Sequence, residues 1–337
     1  MSSLERRCKW EHGSWLETCG RNWKRWTINA FNAVSLLPPT DEFGLRDYGV
    51  AGQIGLEPTL AEYIATMVDV FRGVRRVLRD DGTLWLNIGD SYAGGNGSSG
   101  RTKEGFNERY FGRSAGETDK QGETASHVPQ RKAESGLKPK DLMMVPARLA
   151  IALQDDGWYL RSDIIWAKPN PMPESVRDRP TSSHEHIFLL TKQARYFYDA
   201  DAVAEPSTVT EPGRSWDERK QLGEVMRRES DPSLTNSHIP VGGNGVTRNQ
   251  RNVWTITTHG FPEAHFATFP PEIPRRCIKA GSREGDTILD PFGGAMTTML
   301  EAERLNRHGI AIELNPEYAE IGRKRLYNDA PLLADIA

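Results

Sequence analysis

From Thr287 to Leu326 the chain alternates short apolar runs with stretches of helical period: "TILD", "MTTMLEAERLN", "GIAIEL" and "PEYAEIGRKRL". Brief apolar runs bounded by turn residues read as buried strands, and the longer amphipathic stretches between them read as helices. Strand, helix, strand, helix in that order is a βαβα unit. Two parallel strands need a long crossover, and a parallel sheet needs helices to cover it, so this pattern alone predicts an α/β fold.

The turn inside that unit, "ILDPFGGAMTTMLEA", sets Asp290, Pro291, Phe292, Gly293 and Gly294 between the first strand and its helix. In open α/β sheets ligands sit at the carboxyl ends of the strands, where glycines let the backbone approach a cofactor. The next strand run ends in Glu313, just over twenty residues after Asp290, the position from which an acid accepts hydrogen bonds from the two ribose hydroxyls of a nucleoside. Asp290 argues against a dinucleotide. A helix N-terminus that holds pyrophosphate favours anions, so a carboxylate there is unhelpful, whereas a sulfonium with an amino group is well served by one. The pattern therefore favours S-adenosyl-L-methionine over NAD.

Upstream, Pro58 opens an amphipathic helix in which Leu60, Ile64, Met67, Val70, Phe71, Val74 and Leu78 recur on one face. Asp80, Asp81 and Gly82 are expected to end it, with a buried strand from Thr83 to Ile88. The stretch from Ala93 to about Lys138 is rich in Gly, Ser, Lys and Glu and reads as a mobile loop. A helix from Leu142 to Leu153, capped by Asp141 and interrupted near its start by Pro146, leads to the strand "WYLRSDIIW". "HIFLLTK" and "ARYFYD" are expected to pair as a hairpin turning at Lys192 to Ala194. From about Ala204 to Asn252 the chain is polar, with one helix expected from Trp216 to Arg228, and looks like an inserted module.

Composition excludes more than it identifies. A net charge of -3 over 337 residues rules out a uniformly basic coat for nucleic acid but leaves room for a local basic face. No apolar run approaches the roughly 18 residues of a bilayer span, and the N-terminus lacks a signal-peptide core, so a soluble cytoplasmic protein is expected. Three cysteines without CxxC spacing make neither a disulfide framework nor a structural zinc site. His184 and His186 alternate on one strand face with no third ligand in view, so no metal is expected.

"DPFGG.MTT" followed by "GIAIELNPEYAEIGRKRL" resembles the cofactor half of the DNA amino-methyltransferases that modify adenine N6 or cytosine N4. The resemblance extends upstream through "HFATFPPEIPRRCIKAGSREGDTILDPFGG", "GLRDYGVAGQIGLEPTLAEYI" and "KPNPMPESVRDRPTSSHEHIFLLTK", so that it covers most of Gly44 to Leu326. The order, with the catalytic region first and the cofactor turn last, is similar to the permuted beta group. It implies a Rossmann-like S-adenosylmethionine-dependent methyltransferase fold with an inserted target-recognition segment. The implied organisation is a divergent N-terminal segment 1–43, a catalytic half 44–203 with its loop at about 93–138, a target-recognition segment 204–252 and a cofactor-binding half 253–337. It places Phe269, Asp290, Pro291, Phe292, Gly293, Gly294, Thr297, Glu313 and Asn315 on the cofactor. Its partners would be double-stranded DNA and a cognate restriction endonuclease, with the protein itself a monomer or homodimer.

Methylating an exocyclic amine requires extruding the base and aiming its nitrogen lone pair at the sulfonium methyl. The family does this with a turn of polar residue, Pro, Pro and aromatic ring. The matching place here reads "NAVSLLPPTDEFGLRDYG", so Leu37, Pro38, Pro39 and Thr40 occupy the turn, with Phe43 as the nearest ring. Leu37 accepts no hydrogen bond, Pro38 keeps its carbonyl, and Ser35 or Asp41 is the nearest other acceptor. Residues 1 to about 43 also lack the Gly-Asp contact of relatives and instead carry Trp10, Trp15, Trp23 and Trp26, as a shifted reading frame would produce. Met296 takes the slot of the last glycine of the cofactor turn and is expected to narrow the pocket. Two readings stand: a working DNA methyltransferase, and a catalytically impaired remnant that binds DNA and cofactor. Methylation of a protein or small molecule is disfavoured by the DNA-enzyme likeness of "LLTK" and "KPNPMP". Lys168, Arg177 and Arg179, in a proline-rich loop after a strand, are expected to meet phosphates, and Arg248 and Arg251, beside Asn249, Gln250 and Asn252, to read base edges. Asp90 is expected to line the mouth of the active site.

Overall fold

The computed structural model describes residues 31–36, 53–93, 137–206, 247–258 and 269–329. Among the described residues seven strands form one sheet. They are β1 (Phe31–Leu36), β2 (Leu78–Ile88), β3 (Tyr159–Ala167), β4 (His184–Thr191), β7 (Val253–Thr255), β8 (Thr287–Asp290) and β9 (His308–Ala311), in the order β7-β3-β4-β2-β1-β8-β9. Only β4 runs against its neighbours; it pairs antiparallel with β2 and β3, while β1–β2, β1–β8, β8–β9 and β3–β7 are parallel. The parallel sheet expected from the C-terminal alternation is present. A two-stranded ladder pairs β5 (Glu205–Pro206) with β6 (Thr247–Arg248).

Helix α1 (Leu60–Val77) starts where the sequence says it should. Thr59 and Glu62 make a reciprocal capping box, which satisfies two of the free N–H groups of the first turn. Its buried face, with Met67, Phe71 and Val74 fully covered, packs with α2 (Val145–Asp155) over Leu84, Leu86 and Ile88 of β2. The other face of the same strand carries Trp85, which joins Trp166, Trp254 and Ile187 beneath α3 (Glu272–Gly281). A third cluster packs α4 (Thr297–Arg304) and α5 (Pro316–Asp329) on β8 and β9. Among the described residues no helix is long and apolar enough to cross a membrane.

Three local expectations are corrected. Strand β2 begins at Leu78, not Thr83: its partner register jumps from Phe31↔Leu78 to Ala33↔Thr83, so the Asp80-Asp81-Gly82 turn residues form a bulge within the strand. Helix α2 begins at Val145 and is not capped by Asp141; Pro146 fits its first turn, where no intrahelical N–H is needed, and the Asp90 carboxylate reaches across to accept from the Val145 N–H at 3.0 Å. "ARYFYD" does not pair with β4, whose two edges are already occupied by β2 and β3. Instead its Phe197 N–H donates to the Asp81 carbonyl, and the Phe197 ring lies 3.9 Å beneath the Arg283 guanidinium. The helix expected from Trp216 to Arg228 and most of the loop at 93–138 lie outside the described residues.

Candidate functional site

Strands β8 and β9 are parallel neighbours in register, Asp290 opposite Ala311. Their carboxyl ends therefore bring Asp290 and the segment holding Glu313 together. The Ile312 N–H donates to the Asp290 carbonyl at 2.9 Å, and the Gly293 N–H donates back to the Ile312 carbonyl at 2.8 Å. The Gly turn is thus laced to the end of β9. Glu313 completes the lacing: one carboxylate oxygen accepts from the Gly294 N–H at 2.7 Å, the other from the Asn315 N–H at 2.8 Å. Gly294 sits at φ 49°, in the left-handed region that costs a side-chain-bearing residue about 1 kcal/mol or more.

Asp290 is 1 % exposed, and its Oδ1 accepts from the Phe292 N–H at 3.0 Å. Burial, with the charge of Glu313 adding to it, pushes its carboxyl up to about 7. Burial raises Glu313 as well. Among the described residues no basic side chain acts on either carboxylate. Two adjacent acids without a counter-charge, one wrapped in the turn and one at the end of the next strand, fit a ligand that brings a cation and a pair of hydroxyl donors.

The remaining cofactor-side expectations separate. Pro291 is buried, Phe292 is partly buried against the core beneath α1, and Phe269 packs on the Trp85–Trp254 cluster just ahead of α3. Asn315 caps α5 by accepting from the Glu317 N–H at 2.9 Å. Thr297 is 5 % exposed and its hydroxyl accepts from Arg325 at 2.8 Å. Met296, fully buried at φ 59°, packs among Ile278, Ile288, Met299, Leu300 and Leu326 beneath the turn. It fills the space between Gly293 and Gly322, where added Cβ atoms would come within 2.7 Å and 2.3 Å of its side chain.

On the target side, Leu37, Pro38, Pro39, Thr40 and Phe43 lie outside the described residues, but the strand that leads into them is placed: β1 ends at Leu36, level with Leu86 of β2. Beside it is a polar group that the sequence reading missed. The Asn87 side chain, 3 % exposed, donates to Glu185 at 3.0 Å and to the His186 carbonyl at 3.1 Å, and Glu185 is in turn ion-paired with Lys168. The signal was an amide in the middle of an apolar strand, which is costly to bury without a purpose. Asp90 serves α2 and the Ser91 N–H. His186 is held by Asp163 at 2.9 Å and stacks on Phe188.

Of the basic residues, Lys168, Arg177 and Arg179 follow the carboxyl end of β3, on the same rim of the sheet as the turns. Arg179 lies 3.9 Å over the Tyr92 ring and pairs with Glu174 at 2.8 Å, pinning the proline-rich loop, while Arg177 is exposed. Arg248 and Arg251 precede β7, which runs parallel to β3, and so lie toward the opposite rim. Arg248 pairs with Glu205 at 3.3 Å, and exposed Arg251 borders a cavity of about 190 Å³ that is also lined by Trp85, Tyr196 and Trp254. The structure does not bring these two arginines to the turns.

A family model described as DNA methylase, of the N6/N4 type, matches residues 32–324, a span that runs through the altered turn. The Type II methyltransferase M.SmaI of Serratia marcescens is 46% identical over 296 residues, covering 88% of this chain and 84% of that protein. M.XycI of Xanthomonas campestris pv. cyanopsidis, also a Type II methyltransferase, is 44% identical over 90% of this chain and 83% of its own. In fold the chain is similar to the cytosine-N4-specific PvuII DNA methyltransferase, with TM-score 0.57, 17% identity, and 97% and 92% of the two chains covered. It is also similar to a DNA modification methylase of Thermus thermophilus in complex with S-adenosyl-L-methionine, with TM-score 0.53, 20% identity and coverage of 97% and 95%. These likenesses lend no support to an impaired remnant. By the length of the match and the identity to its relatives, the chain belongs to the N6/N4 DNA methylase family.

Proposed function

We propose that the chain is a site-specific DNA methyltransferase, transferring a methyl group from S-adenosyl-L-methionine to the exocyclic amine of adenine (N6) or cytosine (N4) extruded from duplex DNA. The observation that carries this reading is the pair of carboxyl groups, Asp290 and Glu313, with no basic partner among the described residues, at the ends of adjacent parallel strands around the Gly293-Gly294 turn. Asp290 faces the sulfonium and amino group, Glu313 takes the ribose hydroxyls, and Phe269, Pro291 and Phe292 wall the cofactor. Thr297 and Asn315 hold the turn and the helix behind it. Held by Asp290 and Glu313, the cofactor would supply a methyl group already activated on sulfur for transfer to the amine.

The residues of this chain extrude, hold and aim the base. The Leu37-Pro38-Pro39-Thr40 stretch and Phe43 come next in the sequence after β1, which lies between β8 and β2, and they are the residues that take the base. Arg177 and Arg179 meet the DNA backbone along the same rim, whereas Lys168, expected beside them, is held in its ion pair with Glu185. The module 204–252, with Arg248 and Arg251 at its base, reads the target from a second direction. The protein works in the cytoplasm, as a monomer or homodimer, beside a cognate restriction endonuclease.

Mapping modified bases in DNA from a host expressing the protein tests this directly. N6-methyladenine or N4-methylcytosine at one recurring sequence is expected; DNA indistinguishable from that of the empty host would overturn the proposal.

A further inference from the structure

We propose that Asn87 is a catalytic residue: its side-chain oxygen accepts a hydrogen bond from the exocyclic amine of the extruded base, an inference that rests on the methyltransferase reading above. Both amide hydrogens of Asn87 are already committed, to Glu185 Oε2 at 3.0 Å and to the His186 carbonyl at 3.1 Å. A backbone carbonyl only accepts, and so does an ionised carboxylate, so the network fixes which end of the amide is nitrogen. Oδ1 is then left buried, with no hydrogen-bond partner among the described residues. Native sites rarely leave a buried acceptor empty, and one that is empty invites a donor from outside.

The strand register says which donor can come. Leu36 of β1 is level with Leu86 of β2, so β1 reaches its last residue one position short of the level of Asn87. Neighbouring strands lie about 4.8 Å apart. The next residues in the sequence are Leu37, Pro38 and Pro39, none of which carries a side-chain acceptor. An amine that must aim its lone pair at a methyl group has N–H bonds to be held, and holding them takes a hydrogen-bond acceptor. Asn87 supplies that acceptor. Because β2, β1, β8 and β9 are consecutive in the sheet, Asn87 and Asp290 lie on opposite sides of β1. A base at the end of β1 then has the methyl on one side and the amide on the other.

Glu185 and Lys168 act through Asn87 as positioning residues. Glu185 joins the Asn87 amide to the Lys168 ammonium, which also sits 4.4 Å from the centre of the Trp166 ring; the two side chains of that ion pair are 21% and 20% exposed. Held from below, the amide cannot turn its oxygen away.

The test pairs the side chain with the atom it is meant to touch. Wild type and Asn87→Leu are compared on duplexes carrying the mapped target base either intact or with its exocyclic amine replaced by hydrogen, by fluorescence anisotropy with S-adenosylhomocysteine present. Wild type should prefer the amino base by about tenfold, and Asn87→Leu should show no preference. The variant's kcat should fall about a hundredfold with little change in KM for DNA, while its affinity for S-adenosylmethionine stays within about twofold of wild type. Lys168→Met should lower kcat and keep part of the preference. If Asn87→Leu fails to fold, Asn87→Ala reads the same coupling. An equal preference in wild type and variant would assign Asn87 a structural role and overturn the proposal. A wild type that methylates no DNA would instead overturn the methyltransferase reading and the Asn87 role with it.

Discussion

Replacing Asp290 by asparagine is expected to stabilise the ligand-free protein while weakening its hold on the cofactor. The carboxyl is 1 % exposed and is pushed by burial from 3.8 up to about 7. An acid whose pKa is raised on folding binds its proton more tightly in the native state than in the unfolded one. Stability is therefore undiminished below pH 3.8, declines as pH rises between the two values, and levels off above about 7. A gap of about three pH units at 1.36 kcal/mol each makes the full loss roughly 4 kcal/mol. Asparagine keeps an oxygen for the Phe292 N–H and carries no charge, so it escapes this loss. In urea unfolding at pH 8, Asp290→Asn should exceed wild type by about 2–4 kcal/mol, and the gap should close toward pH 4. An asparagine variant that is less stable at pH 8, or a gap that ignores pH, would refute the reasoning. At pH 8 the same variant should bind S-adenosylmethionine at least about tenfold more weakly, because the charge facing the sulfonium is gone. Calorimetry of the wild type at pH 6.5 should register release of a fraction of a proton as the cation arrives.

Glu313→Gln should weaken adenosine and S-adenosylmethionine alike, by about tenfold, whereas Asp290→Asn should leave adenosine binding unchanged; equal losses for both ligands in both variants would erase the division of labour between the two acids. Gly293→Ala puts a Cβ 2.7 Å from Met296 Cε and 3.1 Å from Ala311 Cβ, so it should cost about 1–3 kcal/mol in urea and less in a Met296→Ala background. An unchanged cost in that background would mean that Met296 does not set the fit under the turn. Glu301, fully buried on α4, accepts from Arg275 at 2.8 Å and 3.2 Å and from Arg304 at 2.8 Å. Glu301→Gln should cost about 2–3 kcal/mol, less than for a fully enclosed pair because both arginines rehydrate, and a melting temperature within a degree of wild type would contradict this.

The C-terminal half was legible because its signals are local. "TILD" to "PEYAEIGRKRL" spells strand and helix in turn, and the parallel order forces Asp290 and Glu313 together. The α1 capping box and apolar face were legible for the same reason. Where contacts from elsewhere in the chain decide, local chemistry misled. Asp80-Asp81-Gly82 looks like the end of an element, yet the Phe31 pairing draws it into β2 as a bulge. "ARYFYD" has strand composition, but β2 and β3 take both edges of its intended partner. Asp141 looks like a cap, but Asp90, 55 residues earlier than Val145, does that work. Asn87 is the instructive miss in the site: "NIGDSY" drew attention to its acid, while the amide three residues before it holds the open acceptor.

Strand β1 has a consequence for how the molecule must be built. Its six residues join β2 to β8, so among the described residues β8 and β9 share no ladder with the rest of the sheet except through them. Remove that seam and two interior strands become raw edges facing each other across a gap, each with an unanswered row of backbone groups. A polypeptide starting at Gln53 would be expected to present two open sheet edges, bridged by the packing of Leu289 and Ile312 against α1 and β2, and since β1 is made before β8, the nascent chain carries an unfinished sheet until β8 has been synthesised.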